Sequence, residues 1–103
     1  MKLIGMMPAR NEDWIIGLSA RVALRWVDEL IVLDHASTDG TADILCEIQA
    51  EVGDRLRILT TDDPTWHEME HRQMLLEESR RRGATHHCLI DADEVLTWNM
   101  VPI

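Results

Sequence analysis

Three carboxylates within four residues close the apolar run Leu89-Ile90, in the order Asp91-Ala92-Asp93-Glu94. If that run is a strand leaving a core, residues i and i+2 share a face, so Asp91 and Asp93 point the same way at its carboxyl end. Two carboxylates held close in a poorly solvated place repel, and a proton or a divalent cation relieves them. Their oxygens suit magnesium, manganese or calcium. A solvated acidic turn is the competing reading, because Asp-x-Asp is short and common. A second set lies at His67-Glu68-Met69-Glu70-His71, a literal H-E-x-x-H. On a helix it puts two imidazoles on one face for zinc, with Glu68 as general base. Against this zinc metallopeptidase reading, Glu70 charges a turn that must pack in such enzymes, no Gly-x-x-His follows, and only Glu94 offers a third ligand downstream. Thr65 and Glu68 have the spacing of a capping box. His67 and His71 fall opposite Met69 and Leu76, where a solvated face accounts for them.

These side chains need elements to hold them. Leu3 to Met7 is a short apolar run stopped by Pro8, which suits a buried strand. Asn11 is then available as a helix N-cap. Trp14, Ile15, Leu18, Val22 and Trp26 recur at helical spacing, which predicts an amphipathic helix over 12–26. Glu29 to Asp34 is rich in branched apolar residues and reads as a strand buried on both faces. In the turn-forming stretch His35 to Thr41, Thr38 or Asp39 can cap a helix that turns Ile44, Leu45 and Ile48 inward and stops at Gly53. Arg55 to Thr60 alternates polar and apolar residues, the pattern of a half-exposed strand nearer an edge.

Asp62-Asp63-Pro64 breaks the chain, and Thr65 to Glu68 opens a helix that runs to Arg82. Gly83 supplies its C-terminal cap, and Arg80, Arg81 and Arg82 lie where the helix dipole favours cations. Thr85 to Ile90 completes a fourth strand, on which the adjacent His86 and His87 point to opposite faces and cannot share an ion. Four strands alternating with three helices imply right-handed crossovers and an α/β fold, with a largely parallel sheet covered on both sides. Chain order places three polar stretches at strand carboxyl ends: Pro8 to Glu12, Asp34 to Asp39, and Asp91 to Glu94. If the strands are neighbours the three converge at one rim, where open α/β sheets bind ligands.

The 103 residues suffice for one domain with a modest core, and 46% hydrophobic with 28% charged residues is ordinary globular composition. A formal net charge of -9 argues against nucleic acid or an anionic membrane as the main partner, since both need a basic face. Cys46 and Cys88 are far apart in apolar surroundings and read as reduced core thiols. No stretch approaches a membrane span or a signal-peptide core, so the expected location is the cytoplasm. The four Trp residues are most simply core and rim packing, with Trp66 placed to flank a ligand as the alternative.

In order, Met-Pro-Ala-Arg-Asn-Glu, then Ile-Val-Leu-Asp-His-Ala-Ser-Thr-Asp-Gly-Thr, then Leu-Ile-Asp-Ala-Asp-Glu resembles the nucleotide-sugar-binding half of family 2 glycosyltransferases of the GT-A fold. The resemblance spans almost the whole chain. It implies a Rossmann-like domain serving transfer of a sugar from a nucleotide-diphosphate donor to an acceptor, helped by magnesium or manganese. Carried over, Pro8, Ala9, Arg10, Asn11 and Glu12 would line base and ribose, and Asp34 with His35 would contact the nucleoside. Arg72 would lie near the donor pocket, Asp91 would face ribose or metal, and Asp93 would bind the metal. Relatives often carry a second acidic residue where this chain has His35, and an imidazole offers a donor where a carboxylate only accepts. A loop histidine without a role is the alternative there. Asp39 is accounted for by capping alone. Arg10 and Arg72 could neutralise phosphate, although surface exposure is the commoner fate of arginine. In that family the acceptor half and catalytic base follow Asp-x-Asp. Val101-Pro102-Ile103 has no mark of a domain end, so the expectation is one donor-half domain over 1–103, cut short, with the base beyond residue 103. A nucleotide-binding module without chemistry stays open.

Overall fold

A computed structural model of the protein describes residues 1–65 and 67–93; the expectations for Trp66, Glu94 and the 101–103 end lie outside the described residues. In chain order the elements are β1 (Leu3–Ala9), α1 (Ile16–Ala23), β2 (Glu29–His35), α2 (Thr41–Val52), a 3-10 turn at Gly53–Arg55, β3 (Leu56–Thr61), α3 (Glu68–Arg81) and β4 (His86–Leu89). The strands form one sheet in the order β3-β2-β1-β4, and every pairing is parallel. The α/β fold and the edge position of β3 are as expected. β2 lies inside the sheet with all but its first residue buried, as its unbroken apolar run requires.

Strand alternation sorts the side chains into two cores. On one face Met7, Leu30, Val32, Leu56 and Ile90 pack against Ile16, Ala20 and Ala23 of α1 and Leu45 and Ile48 of α2. On the other, Ile4, Ile31 and Leu33 pack against Leu75 of α3. His35 continues the second series two residues beyond Leu33, so its ring belongs to the α3 side. Gly5 lets the layers close: a Cβ there would stand 3.1 Å from Leu30 Cδ1 and 3.3 Å from both Val27 and Ile90 side chains.

Several local expectations are corrected. The first helix is shorter than 12–26 and turns a different face inward. Ile16, Ser19, Ala20 and Ala23 are buried, while Trp14 and Leu18 are 70% and 57% exposed. Small side chains let a helix lie close to a sheet, so the alanine stripe wins the interface over the bulkier one. Of the tryptophans, Trp26 does pack against this core and Trp14 does not. Asn11 is not an N-cap; that position is Ile15, and Asn11 instead adopts φ 52°. The capping box at Thr65 and Glu68 does not form. His67 holds the N-cap position of α3, Glu68 pairs with Arg72 at 3.1 Å, and Asp63 Oδ1 accepts the Thr65 N–H at 2.9 Å. The nearer Asx turn takes the groups that the box would have used.

Gly53 and Gly83 end α2 and α3 at φ +65° and +84°, conformations that favour glycine. Both cysteines are free; Cys46 is exposed on α2 and is no core thiol, whereas Cys88 is partly buried and packs against the first core, and burial pushes its thiol up. At the end of the sheet away from the polar stretches, Glu29 accepts from Lys2 and Arg82 at 2.7 Å each. Burial opposes the charge on Glu29, but these two cations outweigh it and hold the carboxyl below its usual range. No helix among the described residues is long and apolar enough to cross a membrane.

Candidate functional site

Parallel pairing makes the carboxyl ends of β2, β1 and β4 neighbours, since Ala9 pairs with Asp34 and Met6 with Leu89. Beyond β4, the Ile90 N–H donates to Met6 O at 2.9 Å and its side chain is buried, which fixes where Asp91 leaves the sheet. The three tips enclose an open cleft of about 310 Å³. Pro8, Ala9, Arg10 and Glu12 line it from the first tip, His35 from the second, and Asp91, Ala92 and Asp93 from the third. The expected convergence is therefore present. Asp91 and Asp93 stand in the loop and turn after the strand, not on the strand itself, yet both reach this cleft.

The remaining expected residues lie close by or apart. Asp34 is buried under the rim, where its Oδ1 accepts the Ser37 N–H at 3.3 Å. Asn11 is exposed and its Oδ1 accepts the Thr38 N–H at 2.7 Å, so it joins two loops. Arg72 is exposed on α3, paired with Glu68, and lies outside the cleft wall.

The loops after β1 and β2 are laced together. Asn11 N–H donates to Ser37 Oγ at 3.0 Å, Glu12 N–H to Thr41 Oγ1 at 2.9 Å and Asp13 N–H to Asp39 Oδ2 at 3.1 Å; Gly40 N–H returns a bond to Asp13 Oδ2 at 3.2 Å. Asp39 Oδ1 also accepts from Thr41 N and Oγ1 at 2.9 and 2.6 Å, which serves the start of α2 as the capping reading expects, although the N-cap position itself is Gly40. Burial works against the Asp39 charge, but these bonds prevail and its carboxyl lies below its usual range. Ser37, Thr41 and Asp13 were missed as positioning groups; the Ser-Thr-Asp-Gly-Thr run signalled a turn but not its partners.

Arg10 binds the two tips directly, its Nη1 donating to the carbonyls of His35 at 3.0 Å and Ala36 at 3.3 Å. Ala36 is held at φ 50°, in the left-handed region. Such a conformation costs an L-residue about 1–2 kcal/mol, partly offset in a glycine comparison by the unfolded chain. Ala36→Gly should therefore raise stability by about 0.5 kcal/mol. Ala36→Val should lower it by about 1–2 kcal/mol, because a β-branched residue tolerates positive φ worst. Urea midpoints of the two variants check both signs.

On the α3 side the H-E-x-x-H segment departs from the solvated face expected of it. His71 is buried in one stripe with Leu75, Glu78 and Ser79, and its ring centroid lies 4.4 Å from that of His35. Met69, assigned to the opposite side, is the exposed one. Burial first, then the neighbouring His35 and His67, push the His71 pKa below the ordinary imidazole value. His67 contacts Asp63 Oδ2 at 3.1 Å. Hydrogen bonds from Thr65, backbone first, hold the Asp63 carboxyl below its usual range, with help from His67. Among the described residues no three His, Cys, Asp or Glu side chains gather to hold an ion.

The cleft lining carries one guanidinium, Arg10, against the carboxylates Glu12, Asp91 and Asp93. Such a wall repels a bare phosphate and attracts a cation.

No protein-family model matches the chain, and no curated protein matches it in sequence. In fold it is similar to Staphylococcus aureus TarS 1-349, with TM-score 0.70 and 20% identity over 92% of this chain and 28% of that one. A second structure of S. aureus TarS gives TM-score 0.68 and 19% identity over 92% of this chain and 17% of its own. TarS 1-349 in complex with UDP gives 0.67 and 20%, again over 92% and 28%. The chain thus spans less than a third of the length of these proteins.

Proposed function

We propose that this chain is the donor-binding part of a glycosyltransferase, holding a nucleoside-diphosphate sugar in the cleft at the tips of β1, β2 and β4. The observation that carries this reading is the meeting of the three strand tips at one cleft, lined by Pro8 to Arg10 and Glu12, by His35, and by Asp91 to Asp93. The family 2 resemblance rests on the same three stretches, and a protein of similar fold was solved with UDP. The nucleoside lies against Pro8, Ala9 and Glu12, over the tip that Asp34 braces from below. Arg10, besides joining the tips, gives the only positive charge among the described lining residues.

The chemistry of the wall fits a hard divalent cation. Asp91 and Asp93 supply carboxylate oxygens on one side of the cleft, and magnesium or manganese is commonly held by one or two carboxylates plus substrate phosphates. Bound there, the ion would supply positive charge where a diphosphate leaving group gains negative charge. The protein's own part is to present Asp91 and Asp93 from a turn anchored by Ile90, and to keep the β1 and β2 loops in fixed register.

A thermal-shift panel of UDP, GDP and ADP with and without manganese tests the reading. A ligand at a hundred times its dissociation constant adds about 2.7 kcal/mol of apparent stability, a shift of several degrees. UDP with manganese should raise the midpoint and UDP alone should not. If no nucleoside diphosphate moves the midpoint with either metal, the proposal fails.

A further inference from the structure

We propose that His35 is a positioning residue of the nucleotide site: its ring pins residues 62–65 beside the cleft, and protonation of the His71 ring packed behind it loosens that hold. The effect on nucleotide binding rests on the donor-binding reading above; the release of the segment does not. His35 Nε2 lies 2.9 Å from Asp63 O and 3.1 Å from Thr65 O. Carbonyl oxygens only accept, so Nε2 carries the proton and donates to both. That proton is committed to the segment and does not read a base, although the residue lines the cleft.

The segment is gripped from both sides, its backbone by His35 and its Asp63 carboxylate by His67 at 3.1 Å. The ring of His71, itself buried, stands 4.4 Å from that of His35 at 59° and backs it from α3. Among the described residues, the charged and titratable groups facing His71 are His35 from β2, Asp63 from the segment, and His67 and Glu70 from its own end of α3. An imidazolium as buried as the His71 ring loses hydration. Burial already disfavours the charged form of His71. A group with depressed proton affinity in the docked state keeps that state above the ordinary imidazole value and loses it as pH falls below. His71 takes its proton by leaving the contact, and the His35 ring, no longer backed from α3, loosens its hold on the Asp63 and Thr65 carbonyls.

Amide hydrogen exchange of Asp62, Asp63 and Thr65 in the ligand-free full chain, at pH 7.5 and 5.5 and corrected for intrinsic rates, reads the release directly. Affinity for UDP with manganese at both pH values reads its consequence. Protection in the wild type should fall about tenfold at the lower pH, the scale of one lost hydrogen bond. His35→Leu should lack protection at both pH values and bind UDP about tenfold more weakly. His35→Gln, which keeps a donor near the Nε2 position, should restore protection at pH 7.5 and much of the affinity. His71→Phe keeps a ring behind His35 without a titrating nitrogen and should flatten the pH profile, which decides the matter if His35→Leu fails to fold. Wild-type protection and affinity in His35→Leu, or an unchanged pH dependence in His71→Phe, would overturn the proposal. If the wild type itself binds no UDP, the donor-binding reading falls, while the exchange data still judge the clamp.

Discussion

Asp93→Asn should abolish manganese-dependent UDP binding, weakening it by about a hundredfold or more, with the fold unchanged. Loss of an outer-shell partner alone typically costs a metal site 10–100-fold, and Asp93 is proposed as a direct ligand. Asparagine keeps the shape and removes the charge, so the variant tests the electrostatic part of the argument. Asp93 is exposed in a turn, and exposed substitutions of this kind usually stay within about 0.5 kcal/mol of wild-type stability. The ligand-free melting point should therefore hold while the nucleotide-induced shift disappears. The contrast matters because the lining is dominated by carboxylates: without the ion, diphosphate and wall repel, and Arg10 by itself does not reverse the sign. Calorimetric titration of UDP at fixed manganese is the direct measurement. Retention of wild-type affinity and metal dependence by the variant would remove Asp93 from the site.

The largest stability effect is expected at Leu33→Ala. Leu33 is fully buried in the smaller core, where Ile4, Ile31 and Leu75 are its fully buried neighbours between β1, β2 and α3. Truncation there costs about 3 kcal/mol in transfer and cavity terms. That is a large share of the roughly 5–15 kcal/mol that keeps a domain folded. In a domain of this size the melting point should fall by on the order of 15 °C. Leu59→Ala, on the same face of the edge strand β3 and only partly buried, should cost about half as much or less. Leu33 also lies two residues before His35 on one face of β2, so the cavity would open beside the imidazole pair. Urea unfolding separates the effects: the midpoint should drop with an unchanged slope if only packing is lost. A Leu33→Ala midpoint within about 3 °C of wild type would mean that this face is not packed as described.

Much of the architecture was legible because it follows from short-range chemistry. The unbroken apolar run of β2 marked an inner strand, the alternation of Arg55 to Thr60 marked an edge, and Gly53 and Gly83 marked helix ends that need positive φ. Element order alone then required parallel strands, which brought Pro8 to Glu12, His35 and Asp91 to Asp93 to one rim. Side-chain destinations were less legible. Trp14 and Leu18 share a helical stripe with large apolar area, yet the sheet received Ala20 and Ala23. His67 and His71 read as one solvated pair, yet the first meets Asp63 near the surface and the second is buried against His35.

From the sequence by itself came the kinds of elements, their order, and the three polar tips that face one way, because strand and helix patterns, turn residues and parallel connection are properties of neighbouring residues along the chain. The tertiary structure alone decided which stripe of α1 meets the sheet, that Arg10 ties the β1 tip to the carbonyls of His35 and Ala36, and that the rings of His35 and His71 meet. Those outcomes depend on how closely layers approach and which distant group reaches a given donor first, and periodicity along one chain carries no information about the distance to another.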